Sequence, residues 1–109
     1  MAAHLPDTLS RYFAAQNRHD ADGMTAAFAP DAVVQDEGRT YVGRKAIREW
    51  KVDTITKYGV TIEPLTATQD GDVLTVVARV AGNFPGSPAD LAYSLVLDEA
   101  GLIRTLEIH

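Results

Sequence analysis

Val60-Thr61-Ile62-Glu63-Pro64-Leu65-Thr66-Ala67-Thr68, a turn at Asp70-Gly71-Asp72, and Val73-Leu74-Thr75-Val76-Val77-Ala78-Arg79-Val80-Ala81 form the stretch on which the fold turns. β-Branched residues crowd both runs and an Asp-Gly pair separates them, the pattern of two antiparallel strands joined by a tight turn. The pattern continues downstream with a loop from Gly82 to Pro88, a strand from Ala89 to Leu97, a turn from Asp98 to Gly101 and a strand from Leu102 to His109. Short turns between successive strands predict an antiparallel meander.

Upstream of Gly59 the periodicity is helical. Leu5, Leu9, Tyr12, Phe13 and Gln16 fall on one stripe of a helix predicted over Pro6–Asp20, with proline in its first turn, and Leu9, Tyr12 and Phe13 should face inward. A short second helix is expected from Asp22 to Ala29, ended by Pro30-Asp31. Ala32 to Asp36 reads as a strand with Ala32, Val34 and Asp36 on one face. Ile47, Trp50, Thr54, Ile55 and Tyr58 recur along a third helix from Arg44 to Tyr58, which Gly59 should end. Helices first and strands afterwards predict an α+β fold with the helices gathered on one face of a curved sheet.

A chain of 109 residues with 46% hydrophobic and 23% charged residues fits one globular domain, 1–109. Ten basic against fifteen acidic residues give a formal charge of −5, so no nucleic acid is expected as partner. The absence of cysteine removes disulfides, thiolate metal sites and thiol nucleophiles. No apolar run approaches the ~20 residues of a membrane span, and the first residues lack the basic and apolar blocks of a signal peptide. The expectation is a cytoplasmic protein with no membrane partner. His4, His19 and His109 show no ligand spacing, so no metal is expected, and no phosphate-binding glycine loop or serine-nucleophile motif is present.

Asp36 is the most pointed candidate, because a carboxylate on an apolar strand face becomes a stronger base once ionised. Asp36-Glu37-Gly38 also reads, and more simply, as the chain leaving the sheet through a turn, where aspartate bonds its own backbone. Tyr12 on the inward helical stripe offers a hydroxyl to a ligand or is ordinary core, and Trp50 and Tyr58 carry the same ambiguity between core and pocket wall. Arg11, Arg18 and Arg48 read as solvated charges.

Arg11-Tyr12-Phe13-Ala14-Ala15-Gln16-Asn17, Asp20-Ala21-Asp22-Gly23-Met24, Phe28-Ala29-Pro30-Asp31-Ala32, Asp36 and Gly43-Arg44-Lys45-Ala46-Ile47-Arg48-Glu49-Trp50 together resemble the SnoaL-like proteins of the nuclear transport factor 2-like superfamily. Among its enzymes the ketosteroid isomerases are the most similar, and the resemblance covers nearly the whole chain. It implies a cone-shaped barrel of a curved, mainly antiparallel sheet with three N-terminal helices enclosing an apolar pocket, commonly in a homodimer. It also implies chemistry without a cofactor, in which an aspartate moves a proton beside a ketone while buried acids donate hydrogen bonds to the developing enolate. By matching position, Asp36 takes the place of the base and Tyr12 that of the oxyanion donor, with Trp50, Phe84, Leu106 and Ile108 expected to line the pocket.

The sequence departs from the isomerase pattern where the second oxyanion acid belongs. Tyr93 stands there, and the nearest acid, Asp90, has the opposite strand parity. The segment after Asp36 is about two residues shorter, and Glu37 replaces the proline expected after the base. An arginine between two acids, as in epoxide hydrolases of this fold, is missing, since Arg79 has Val77 and Ala81 beside it. Pocket histidines for a dehydratase are missing too, and of the late-strand acids a cyclase would use, Asp90 and Glu107 are poorly placed by parity. Two functions follow: a small-molecule isomerase or cyclase acting on an apolar carbonyl compound through Asp36, Tyr12 and Tyr93, or a binding protein that holds an apolar ligand in the same cone without chemistry. The enzyme requires Asp36 and Tyr12 to converge on a cavity.

Overall fold

A computed structural model describes residues 5–36 and 38–108. The first helix, α1 (Asp7–Asn17), follows Pro6 at its cap, stops short of the expected Asp20, and buries Leu9, Tyr12, Phe13 and Gln16 of the expected stripe together with Ala15. The second, α2 (Ala21–Thr25), is capped by Asp20, whose Oδ1 accepts from the Gly23 amide at 3.0 Å. It ends before the sequence suggests. Phe28 and Ala29 already belong to β1 (Phe28–Asp36), and Pro30 interrupts neither element. The reason is packing: Phe28 is fully buried against Tyr12, with the Ile103 amide bonded to the Ala27 carbonyl at 2.8 Å, and these distant contacts outweigh the local helical pattern.

A hairpin after β1 leads into β2 (Arg39–Val42), a strand that the sequence reading leaves out although Thr40, Tyr41 and Val42 are strand-formers between two glycines. Then α3 (Gly43–Tyr58) runs to Gly59, which takes the left-handed conformation at φ 55° and donates its N–H to the Ile55 carbonyl at 2.9 Å, as a helix-ending glycine does. The basic first turn of α3, unfavourable to the helix dipole, is put to use: Arg44 Nε donates to the Phe28 carbonyl at 2.9 Å, and in the second turn Arg48 pairs with Asp22 at 2.6 Å.

The remaining strands are β3 (Thr61–Asp70), β4 (Val73–Ala81), β5 (Ala89–Leu97) and β6 (Ile103–Ile108), each antiparallel to the next. One six-stranded sheet results, in the order β2-β1-β6-β5-β4-β3, with β1 and β6 parallel. The sheet is curved but does not close into a barrel, since β2 and β3 remain edges. Pro64, which has no N–H to give, is tolerated because β3 is an edge, and the register shifts beside it. The three helices cover one face, and the core lies between them and Val34, Val76, Ala78, Tyr93, Leu95 and Leu106 of the sheet. No described helix is long and apolar enough to cross a membrane.

Candidate functional site

Asp36 is the last residue of β1 and pairs in register with Arg39 of β2, so it stands both at a strand end and before a turn. Both sequence readings of this residue therefore describe part of its position. It is half-buried, and with Gln35, Gly38, Arg39, Thr40, Glu107 and Ile108 it lines an open pocket of about 350 Å³. Glu107 is exposed, in register with exposed Gln35, and borders the same open pocket at the strand ends as Asp36. Asp90 does point away, in an exposed ion pair with Arg79 at 3.1 Å.

Behind Asp36 lies a buried group of polar side chains. Tyr12 is completely buried, its ring edge-to-face with Phe13 and Phe28 at 5.3 and 5.6 Å, and among the described residues its hydroxyl has no hydrogen-bond partner. Tyr93 of β5, 5% exposed, packs edge-to-face on Phe13 at 5.9 Å. Burial, with the Asp36 charge added, holds both phenols above their ordinary pKa, and Tyr93 further raises Tyr12. Both therefore stay protonated near neutral pH and keep a hydrogen to donate.

The sequence reading misses the third member. Lys51 on α3 is only 3% exposed. Its ammonium lies over the Tyr12 ring at 4.8 Å and the Trp50 ring at 4.1 Å, and it donates to Gln16 Oε1 at 3.2 Å. Gln16 is in turn held from α1 towards the Val60 carbonyl, 3.5 Å from its Nε2. Burial pushes the Lys51 ammonium down to about 7, while the Asp36 charge pulls it back up. A signal was present: Lys51 is four residues from both Ile47 and Ile55, inside the apolar stripe of α3, where a lysine has no structural reason to be.

The expected pocket residues are dispersed. Ile108 borders the open pocket and faces Tyr93 in register. Trp50 is buried and stacked on Tyr41 at 5.2 Å, Leu106 is buried in register between Val34 and Leu95, and Phe84 packs on Tyr58 at 6.1 Å. Asp36 thus borders an open pocket lined mostly by exposed residues, whereas the Tyr12 hydroxyl is sealed behind side chains, so the two do not converge on a cavity. Among the described residues no cluster of three His, Cys, Asp or Glu side chains could hold a metal. His19 Nε2 lies 3.2 Å from the Val60 carbonyl, while His4, Glu37 and His109 fall outside the described residues.

A family model described as the SnoaL-like domain matches residues 9–101. Among solved structures, a candidate polyketide cyclase from Sinorhizobium meliloti is 45% identical, with a TM-score of 0.90 over 96% of this chain and 95% of that one. A protein of ketosteroid isomerase-like fold from Catenulispora acidiphila, solved with trimethylamine, is 24% identical with a TM-score of 0.84 over 97% and 86% of the two chains. The epoxide hydrolase/cyclase-like enzyme SalBIII of pyran ring formation in salinomycin is also 24% identical, with a TM-score of 0.81 over 94% and 86%. No curated protein is matched by the sequence.

Proposed function

This chain belongs to the SnoaL-like domain family, and from that premise we propose that it is a cofactor-independent isomerase or cyclase acting by proton transfer on an apolar carbonyl compound. One observation carries the reading: a half-buried carboxylate at a pocket rim stands before two buried phenols whose pKa values its charge raises. Asp36 takes a proton from the carbon beside the carbonyl, and Tyr93, in register with the rim residue Ile108, donates a hydrogen bond to the oxygen on which charge develops, joined by Tyr12 only when the side chains that seal its hydroxyl move aside. Ile108 guides the ligand at the rim, and Trp50 and Leu106 form the apolar wall that it meets further in. Phe84, in the β4–β5 loop and packed on Tyr58 at the C-terminal end of α3, adds an apolar contact at that end of the sheet. The similarity to a candidate cyclase at 45% identity supports this class of chemistry. The protein works as a homodimer, the usual assembly of the fold that its sequence resembles.

A second reading, a non-catalytic binder of an apolar ligand, draws on the complete burial of Tyr12. The two are separated by following hydrogen–deuterium exchange and double-bond migration in a panel of β,γ-unsaturated ketones and 1,3-dicarbonyl compounds. Asp36→Asn should slow turnover by at least ~100-fold, the contribution of a positioned base. Equal rates in the two proteins would remove Asp36 as base, and no turnover by either would leave the binding reading.

A further inference from the structure

We propose that Lys51 is a positioning residue for Asp36: its ammonium, fixed in the layer between the helices and the sheet, is the counter-charge that keeps the Asp36 carboxylate ionised, without touching the ligand itself. This rests on the reading of Asp36 as base and adds the residue that sets its proton affinity. The placement follows from the two elements that carry the pair. Asp36 falls on the same face of β1 as Ala32 and Val34, both fully buried, so it points from the sheet towards the helices. Lys51 is 3% exposed, on the inward side of α3 with buried Ile47 and Trp50, and α3 packs on β1. It does not line the open pocket that Asp36 borders. Its ammonium is held by Gln16 Oε1 at 3.2 Å and by the rings of Trp50 and Tyr12 at 4.1 and 4.8 Å. None of these three partners carries a negative charge, and a buried cation is unfavourable unless an anion compensates it.

Asp36 is the acid placed to supply that charge. Of the described acids, all but Asp20, Asp36 and Asp98 are exposed. Asp20 is engaged at the start of α2 with the Gly23 amide, and Asp98 accepts from the Ala100 and Leu102 amides in the β5–β6 turn. The electrostatics agree: the Asp36 charge pulls Lys51 up against burial and raises both Tyr12 and Tyr93. Below about 7 Lys51 carries its charge, so it is a cation throughout the range in which a carboxylate titrates. The other groups around the pair do not replace it. Tyr12 of α1 and Tyr93 of β5 are protonated and neutral there, Arg39 of β2 is in register with Asp36 but exposed, and Glu107 of β6 is an exposed acid at the rim. Water and salt screen the exposed charges, whereas a cation in the dry layer is screened far less.

The test reads Asp36 directly, by carbon-13 NMR titration of its carboxyl group in the full chain, with turnover of the carbonyl panel followed against pH beside it. In Lys51→Met the Asp36 midpoint should move to higher pH by ~1 or more, about a tenfold rise in proton affinity, as for a carboxylate that loses a nearby cation. Lys51→Gln, which keeps polarity without charge, should do the same and guards against a packing effect of methionine. Arg39→Gln should move the midpoint less. In each variant the acid limb of the turnover profile should follow the NMR midpoint while the high-pH plateau is retained. A merely structural role for Lys51 would lower the plateau and leave the limb in place. An unmoved Asp36 midpoint in both Lys51 variants, or a larger move in Arg39→Gln, would overturn the proposal. A moved midpoint, in a protein whose turnover is the same after Asp36→Asn, would support the charge pair while removing the reading of Asp36 as base.

Discussion

The Lys51 ammonium nitrogen lies 4.8 Å from the centre of the Tyr12 ring, joining the middle of α3 to the inward face of α1 inside the core. Neither residue is satisfied as a buried polar group ordinarily is: Lys51 leans on two ring faces and one amide oxygen, and the Tyr12 hydroxyl has no partner among the described residues. Groups left in this state reduce stability, and sites that bind or react are where such a cost is tolerated.

Lys51 should make stability depend on pH. Burial pushes its pKa down to about 7, against the opposing pull of Asp36, whereas in the unfolded chain it titrates near ~10.4. Between these values the unfolded state holds a proton that the folded state lacks, so unfolding takes up a proton and stability rises with pH. Below about 7 both states are protonated and the full cost of burial is felt. Urea denaturation across this range should show the rise, and Lys51→Met should flatten it while gaining ~1–3 kcal/mol at neutral pH. An unchanged slope in the variant would assign the effect to another group.

Tyr12→Phe should separate stability from function. It deletes a buried hydroxyl without a partner and leaves the ring contacts with Phe13 and Phe28 in place. Thermal unfolding should show the variant at least as stable as the parent, by up to ~1–3 kcal/mol, while binding or turnover of the carbonyl panel falls. A loss of stability with no loss of binding would mark the hydroxyl as structural.

Asn17 fastens α1 to the edge of the sheet. Its Oδ1 accepts from the Ile62 amide at 2.7 Å and its Nδ2 donates to the Ile62 carbonyl at 3.0 Å. Asn17→Ala should cost ~1–3 kcal/mol in chemical denaturation by leaving a part-buried backbone amide and carbonyl without these partners. Asn17→Asp, which keeps the acceptor and loses the donor, should fall between the two.

Gly59→Ala tests conformation apart from space. A Cβ at this position would come no nearer than 3.9 Å, to the His19 ring, so there is room for it. The φ of 55° is the obstacle, and the substitution should lower stability by ~1 kcal/mol through strain alone. A neutral result would mean that the end of α3 relaxes to another cap.

The sequence by itself determined the elements whose cause is local: the Val60–Ala81 hairpin with its Asp-Gly turn, the inward stripe of α1, the glycine that stops α3, and through their order an α+β sheet under helices. It also singled out Asp36 and Tyr12, because parity and helical spacing say which way a side chain points, whereas Tyr93 came from the resemblance to the isomerases. Only the tertiary structure decided that Phe28 begins a strand, that β1 runs parallel to β6, and that Arg44 and Arg48 hold α3 to its neighbours. The same holds for Lys51, whose stripe position was visible but whose meaning depends on Gln16, Tyr12 and Trp50 closing round it. Local propensity is set by a residue and its near neighbours in the chain. Strand pairing and the burial of a charge are set by residues tens of positions away, and no pattern within a single element records them.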